Sequence, residues 1–192
     1  MRNKFTDLKT IINGNVDIVS IAETKLDGSF PCAQFILDGY HTPYRLDVNS
    51  KNGGLLVYVK SSIPSRSLSC NEDCNSIQAI PFEINLRKEK WLVISIYRPP
   101  SQNSEYFLNS LTKIIDYFAN TYDNYLIMGH FNLEPSDSAL MGFLNSNNLT
   151  NLIKTNTCFK GKGSCIDLIL TTGNFHLSLL QPVKRELVIT II

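Results

Sequence analysis

Two stretches of this sequence place polar, chemically able side chains just beyond an apolar run. The first is Tyr125-Leu-Ile-Met-Gly-His-Phe-Asn132. Its apolar part, Tyr125 to Met128, reads as a buried strand. Gly129 permits a close backbone turn, and His130 and Asn132 follow on either side of Phe131. That spacing lets the two polar groups face one way while the ring faces the core. A neutral imidazole in such a place can accept a proton. The second stretch is Glu23-Thr-Lys-Leu-Asp27, a polar and charged run after the strand-like Asp17-Ile-Val-Ser-Ile-Ala22. Strand ends are where α/β folds put chemistry, because the strand fixes a position and the loop is free to vary. Each stretch also has the form of an ordinary polar loop after a core strand, so neither assigns a function alone.

The elements that must position these residues are legible in outline. Phe5, Leu8, Ile11 and Ile12 recur at helical spacing over residues 3–13, and Asn13-Gly14 supplies a stop. Residues 28–50 are loop-rich. Gly53-Gly54 opens the strand Leu55-Leu-Val-Tyr-Val59, and residues 61–76 read as a surface loop. Ile77–Leu86 and Trp91–Tyr97 form a predicted hairpin around the charged turn Arg87-Lys-Glu-Lys90. Arg98-Pro-Pro-Ser101 ends it, since proline cannot donate to a ladder. Phe107, Leu108, Leu111, Ile114, Ile115 and Phe118 stripe one face of a helix over residues 104–121. Ser136 or Asp137 can cap a short helix carrying Leu140, Phe143 and Leu144. Thr157–Phe159 and Cys165–Leu170 read as strands around the turn Lys160-Gly-Lys-Gly163, and the tail from Leu177 is apolar and strand-like. Strands outnumber helices, and hairpins mix with strand–helix–strand units. The expected fold is α/β of the α+β type: two mostly antiparallel sheets packed face to face with helices outside.

Composition sets bounds. The 192 residues, 43% hydrophobic and 18% charged, suit a single globular domain over 1–192 with a real core. The net charge of +1 provides no global field for nucleic acid, so any such contact needs local cations. Arg45, Lys51, Lys60, Arg98, Lys160 and Lys162 are candidates for lining a phosphate groove, although most surface lysines are merely solvated. The five cysteines are odd in number and follow no signal peptide, which reads as free thiols in an intracellular, reducing compartment, nuclear or cytoplasmic. No apolar run reaches the roughly 20 residues needed to span a membrane.

Taken in order, Glu23-Thr-Lys-Leu, Gly53-Gly-Leu-Leu-Val-Tyr-Val, Tyr97-Arg-Pro-Pro, Gly129-His-Phe-Asn and Cys165-Ile-Asp-Leu-Ile-Leu match one family. From about residue 2 to about residue 180 the chain resembles the endonuclease domain of LINE-type (non-LTR) retrotransposons, in the exonuclease–endonuclease–phosphatase superfamily. The resemblance implies a four-layer sandwich and magnesium-dependent cleavage of DNA phosphodiesters. It implies a Mg2+ held at Glu23, a phosphate-positioning Tyr97 with Arg98 beside it, and Asn132 orienting the attacking water. It further implies a substrate-contacting Thr157 and an Asp167 that polarises a catalytic histidine. It also implies DNA as partner and fusion to a reverse transcriptase in the parent element. Without the motif order, Glu23 and Asp167 read as solvated carboxylates, Tyr97 as a sheet tyrosine and Thr157 as a strand residue.

Three departures alter the expectation. The family has Gly-Asp-x-Asn where this chain has Gly129-His130-Phe131-Asn132. An imidazole brings no negative charge to a cation, is longer than a carboxylate, and would repel the metal if protonated. The family's closing Ser-Asp-His is absent from Val183-Lys-Arg-Glu-Leu-Val-Ile-Thr-Ile-Ile192, which leaves Asp167 without its histidine; His176 is a poor substitute on a surface turn. The family's first strand, with its asparagine, precedes the opening helix and has no counterpart here, so a bared sheet edge is expected. The chain therefore reads as a degenerate endonuclease domain, truncated at both ends. Hydrolysis is expected at least about a thousandfold below an intact relative. Alternatives are a weak Mg-dependent DNA nickase with His130 as base, and a non-catalytic nucleic-acid-binding module.

Overall fold

The computed structural model describes residues 5–12, 16–70, 76–158, 163–173, 177–179 and 186–191. In chain order the elements are α1 (Phe5–Ile12), β1 (Ile18–Ala22), β2 (Tyr44–Leu46), β3 (Leu55–Val59), β4 (Ser65–Ser67), β5 (Gln78–Leu86) and β6 (Glu89–Tyr97). Then come α2 (Ser104–Phe118), β7 (Asn124–His130), α3 (Ser138–Ser146), β8 (Thr150–Asn151), β9 (Asp167–Thr171), β10 (Leu177–Leu179) and β11 (Glu186–Ile191). They form a five-stranded sheet, β10-β11-β1-β3-β2, and a six-stranded sheet, β4-β5-β6-β7-β9-β8. Every pairing is antiparallel except β6–β7, whose parallel register needs a crossover, and α2 supplies it. The expected α/β sandwich of two mostly antiparallel sheets is what the chain forms.

Strand periodicity explains the layering. On β3, Leu55, Val57 and Val59 join the core between the sheets, while Leu56 and Tyr58 pack on the other face with Leu8 and Ile12 of α1. At the centre of the inter-sheet core the hydroxyls of Ser20 on β1 and Ser95 on β6 share a 2.6 Å hydrogen bond. Helix α2 is capped by Asn103, whose side chain accepts from Tyr106 N at 2.8 Å, and its apolar stripe is buried. For α3 the cap is Asp137, accepting from Ala139 N and Leu140 N.

Several expectations need correction. The loop over 61–76 contains β4, which pairs with β5, and residues 28–50 contain a 3-10 turn (Cys32–Phe35) and β2. The β5–β6 turn has two residues, Arg87 (φ 51°) and Lys88 (φ 74°), because Leu86 pairs directly with Glu89. Where a strand was expected from Thr157, the described residues Thr157 and Cys158 make a single Cys158–Ser164 bridge; Phe159 to Lys162 lie outside the described residues. Strand β1 is paired on both sides, with β3 and with β11, Ile18 lying opposite Ile189. The thiols are not all free: Cys70 is disulfide-bonded, while Cys32, Cys158 and Cys165 are free. Among the described residues no helix is long and apolar enough to cross a membrane.

Candidate active site

Strand register builds the site. Tyr97 at the end of β6 pairs with His130 at the end of β7, and His130 pairs with Asp167 at the start of β9. Directly paired residues share a sheet face, so the three side chains stand in a row across adjacent strands. Tyr97 lies two positions beyond Ser95, on the face that meets β1, and Ala22 two beyond Ser20. The row therefore stands at the end of the seam between the sheets, next to Glu23.

Gly129 makes this register possible. Its φ is +144°, and a Cβ there would lie 2.0 Å from the carbonyl oxygen of Ile96 on the neighbouring strand. The turn expected at Gly129 is instead a close approach of β6 and β7, and β7 runs on to His130.

The contacts run from one end of the row to the other. Tyr97 hydroxyl donates to Glu23 Oε1 at 3.0 Å. The Tyr97 ring stacks on the His130 imidazole, centroids 5.8 Å apart and planes at 25°. His130 Nδ1 and Asp167 Oδ1 are 2.7 Å apart, with 14% and 7% of their side-chain surface accessible. An ionised carboxylate only accepts, so Nδ1 donates, and in the neutral ring Nε2 is then the acceptor. Asp167, expected to lack a histidine, has His130 as its partner. His176, the other candidate, lies outside the described residues.

Thr157 Oγ1 accepts from the backbone N–H of Ile166 (3.1 Å) and Asp167 (3.0 Å), which fixes the start of β9. Arg98 is 6% exposed and donates to the carbonyls of Phe131 (2.7 Å), Asn132 (2.6 Å) and Gln102. Burial holds its guanidinium below the usual arginine range, with Asp137 opposing. Asn132 returns the bond, its amide donating to Arg98 O at 2.7 Å. Arg98 thus clasps two loops, and Thr157 braces the backbone at Asp167.

Glu23 and Asn132 both adopt left-handed backbone, φ 54° and 51°. For residues with a side chain this conformation costs about 1–2 kcal/mol. Neighbouring Lys25 has φ 54°, and its N–H donates to Gly53 O at 2.9 Å. Among the described residues, four further non-glycine positions, Lys25, Arg87, Lys88 and Asn148, share this conformation, so it is not confined to the site.

The magnesium ion implied by the resemblance fits these donors poorly. Glu23 would be its one carboxylate ligand here, because the charge of Asp167 is already engaged by an imidazole N–H. Among the described residues no group of three or more His, Cys, Asp and Glu could hold a metal ion. Magnesium usually takes one or two carboxylates together with waters and substrate phosphates, so Glu23 alone stands at the lower limit of what it uses.

The expected phosphate groove is also reduced. Arg45 is paired with Asp47 at 2.6 Å and donates to the carbonyls of Phe30 and Asp27, and Lys60 lies 3.6 Å from Asp17. Lys160 and Lys162 lie outside the described residues.

Sequence reading missed the His130–Asp167 pair and the clasp made by Arg98. The first had a signal, since both residues bound apolar runs that can pair antiparallel. The second had a weaker one, an arginine ahead of Pro99-Pro100 at a buried strand end.

The family model described as "Endonuclease/Exonuclease/phosphatase family" matches residues 2–187. No curated protein sequence matches the chain. Similar solved structures include the endonuclease domain of TRAS1, a telomere-specific non-LTR retrotransposon: TM-score 0.69, 13% identity, 98% of this chain and 91% of that one covered. Another is the 3′ phosphatase NExo from Neisseria bound to a product DNA hairpin: TM-score 0.69, 16% identity, 99% and 95% covered. A third is a mannosyl-6-phosphatase from Bacteroides thetaiotaomicron: TM-score 0.64, 12% identity, 98% and 86% covered. At these identities the likeness speaks for the fold.

Proposed function

The chain belongs to the endonuclease/exonuclease/phosphatase family, and on that premise we propose that it is a retrotransposon-derived, DNA-binding endonuclease domain with disabled magnesium-dependent cleavage. The observation that carries this reading is the 2.7 Å contact between His130 and Asp167. Where the family's Gly-Asp-x-Asn supplies an anionic side chain beside the cation, this chain supplies an imidazole that engages the nearest remaining carboxylate. The site loses one negative charge and has a second one occupied, and both changes weaken a divalent cation's hold. Bound magnesium would neutralise charge on the phosphate under attack; without that, Tyr97 and Asn132 can hold a phosphate but stabilise its transition state little.

DNA is favoured as substrate class over a sugar phosphate by the order of the five motifs and by the likeness to a retrotransposon endonuclease domain. The expected behaviour is salt-dependent retention of duplex DNA, with nicking at least about a thousandfold slower than an intact relative. Incubation of the purified chain with supercoiled plasmid and Mg2+, beside a parallel retention assay across a salt series, tests both halves. Nicking at an intact relative's rate sinks the first half, and no retention at low salt sinks the second. Fusion to a reverse transcriptase in the parent element belongs to the same proposal, and reading the coding sequence downstream of the chain tests it.

A further inference from the structure

We infer that His130 and Asp167 form an acid–base dyad assembled across two paired strands, in which Asp167 positions the ring and His130 Nε2 takes the proton of a water attacking a phosphodiester without a metal ion. This deepens the family-based reading above and rests on it for the substrate class.

Four observations carry it. The Nδ1–Oδ1 contact is 2.7 Å, in the range of a charge-assisted hydrogen bond. An ionised Asp167 accepts only, so in the neutral ring the contact places the hydrogen on Nδ1 and leaves Nε2 bare. The ring is held on its face by Tyr97 and at its edge by Asp167, so Nε2 has a fixed direction and is not on a free rotor. Asp167 is itself held by the N–H bond to Thr157 beneath it, at 3.0 Å. A carboxylate–imidazole pair braced from below and stacked from the side is an arrangement that supports general-base catalysis. Among the described residues, the charged or titratable groups in contact with the ring are Asp167 from β9 and Tyr97 from β6, with Glu23 reached through the Tyr97 hydroxyl.

The step is hydrolysis with water as co-reactant. The water oxygen bonds to phosphorus while its proton passes to His130 Nε2. The phosphorus–oxygen bond to the leaving group breaks, and that oxygen departs with the bonding pair. A p-nitrophenyl group departs as phenolate while the imidazolium releases its proton to solvent; a deoxyribose oxygen takes that proton instead, giving a phosphate monoester and an alcohol.

The test uses the whole chain in EDTA. Nitrogen-15 NMR on neutral His130 in the unliganded protein is expected to show Nδ1 protonated and Nε2 bare. In D167N that preference is expected to weaken or reverse. With bis(p-nitrophenyl) phosphate, whose leaving group needs no acid, the parent should hydrolyse slowly but measurably above buffer. H130A should fall about a hundredfold or more below it. D167N should lose about tenfold or more in kcat with KM little changed, as a positioning residue does. Circular dichroism on each variant confirms folding, and the NMR arm on the parent stands without any variant.

A ring protonated on Nε2, no parental hydrolysis, or equal rates in parent and H130A would each overturn the dyad. Plasmid nicking at an intact relative's rate, with Nε2 still bare, would instead end the disabled-nuclease reading and leave the dyad in place.

Discussion

Restoring the family's aspartate by H130D is the perturbation whose outcome follows most closely from the register. In the parent, residues 130 and 167 are direct cross-strand partners joined by a 2.7 Å hydrogen bond. Such a charge-assisted bond contributes about 1.5–3 kcal/mol. In H130D that bond is replaced by two carboxylates facing each other at the end of the row. At an effective dielectric constant of about 20, two unit charges about 5 Å apart repel by roughly 3 kcal/mol. The pair relieves this by retaining one proton, which raises the shared carboxyl by about 2 pH units at 1.36 kcal/mol per unit.

The sign follows. A carboxyl raised in the folded state favours folding while it is protonated and loses that contribution as pH rises through its folded value. H130D should therefore be most stable below about pH 4 and, of roughly 3 kcal/mol lost in all, lose about 1.5 kcal/mol between pH 5 and pH 8. H130N, of the same size but neutral, lacks that added loss. Urea denaturation followed by circular dichroism, in EDTA from pH 5 to 8, measures the difference between the two. Parallel curves for H130D and H130N would refute the reasoning. The same substitution should leave plasmid nicking unrestored, because it removes the one histidine paired to Asp167; full rescue by H130D would count equally against it.

Other substitutions probe the frame around the site. G129A should destabilise by on the order of 3 kcal/mol or more, since its Cβ would overlap the Ile96 carbonyl at 2.0 Å on a strand that cannot move away; a melting curve beside the parent's checks it. Replacing the left-handed turn residues by R87N/K88G should stabilise by about 1 kcal/mol, read as a rise of a few degrees in Tm. Glu83 is buried, with Arg66 holding its carboxyl below the usual glutamate range, its own burial opposing and the Tyr122 hydroxyl (2.6 Å) assisting. A carboxyl lowered in the folded state stabilises above its ordinary value near 4.5 and loses that contribution as pH falls through the lowered one. E83Q should therefore cost about 1–2 kcal/mol at pH 7, with the gap to the parent closing as pH falls below that value, in urea curves across the acid range.

The sheet sandwich was legible because its cores are periodic. The continuous apolar runs of β3 and β7, and the long stripe of α2, leave few alternatives to buried strands and a packed helix. The strands that sequence reading missed, β2, β4 and β8, have two or three residues each and carry no period. Their pairing is imposed by longer neighbours. At the site the residues were legible and their partners were not. Glu23 and His130 stood out at strand ends, and Tyr97 and Asp167 through motif order, but that order assigns each a role in an intact site. What His130 does here depends on strand register, which puts it opposite Asp167 and not opposite a cation. Arg98 and Thr157 show the same limit: the sequence names a cation and a hydroxyl near the cleft, and the backbone claims them first.

The most direct test of the account is diffraction from crystals of the chain soaked with Mg2+ and a short DNA duplex. The predicted result is an uncut strand with a phosphate beside Tyr97 and Asn132, His130 still on Asp167, and no ordered cation at Glu23. An ordered ion at Glu23 beside a severed strand would contradict it.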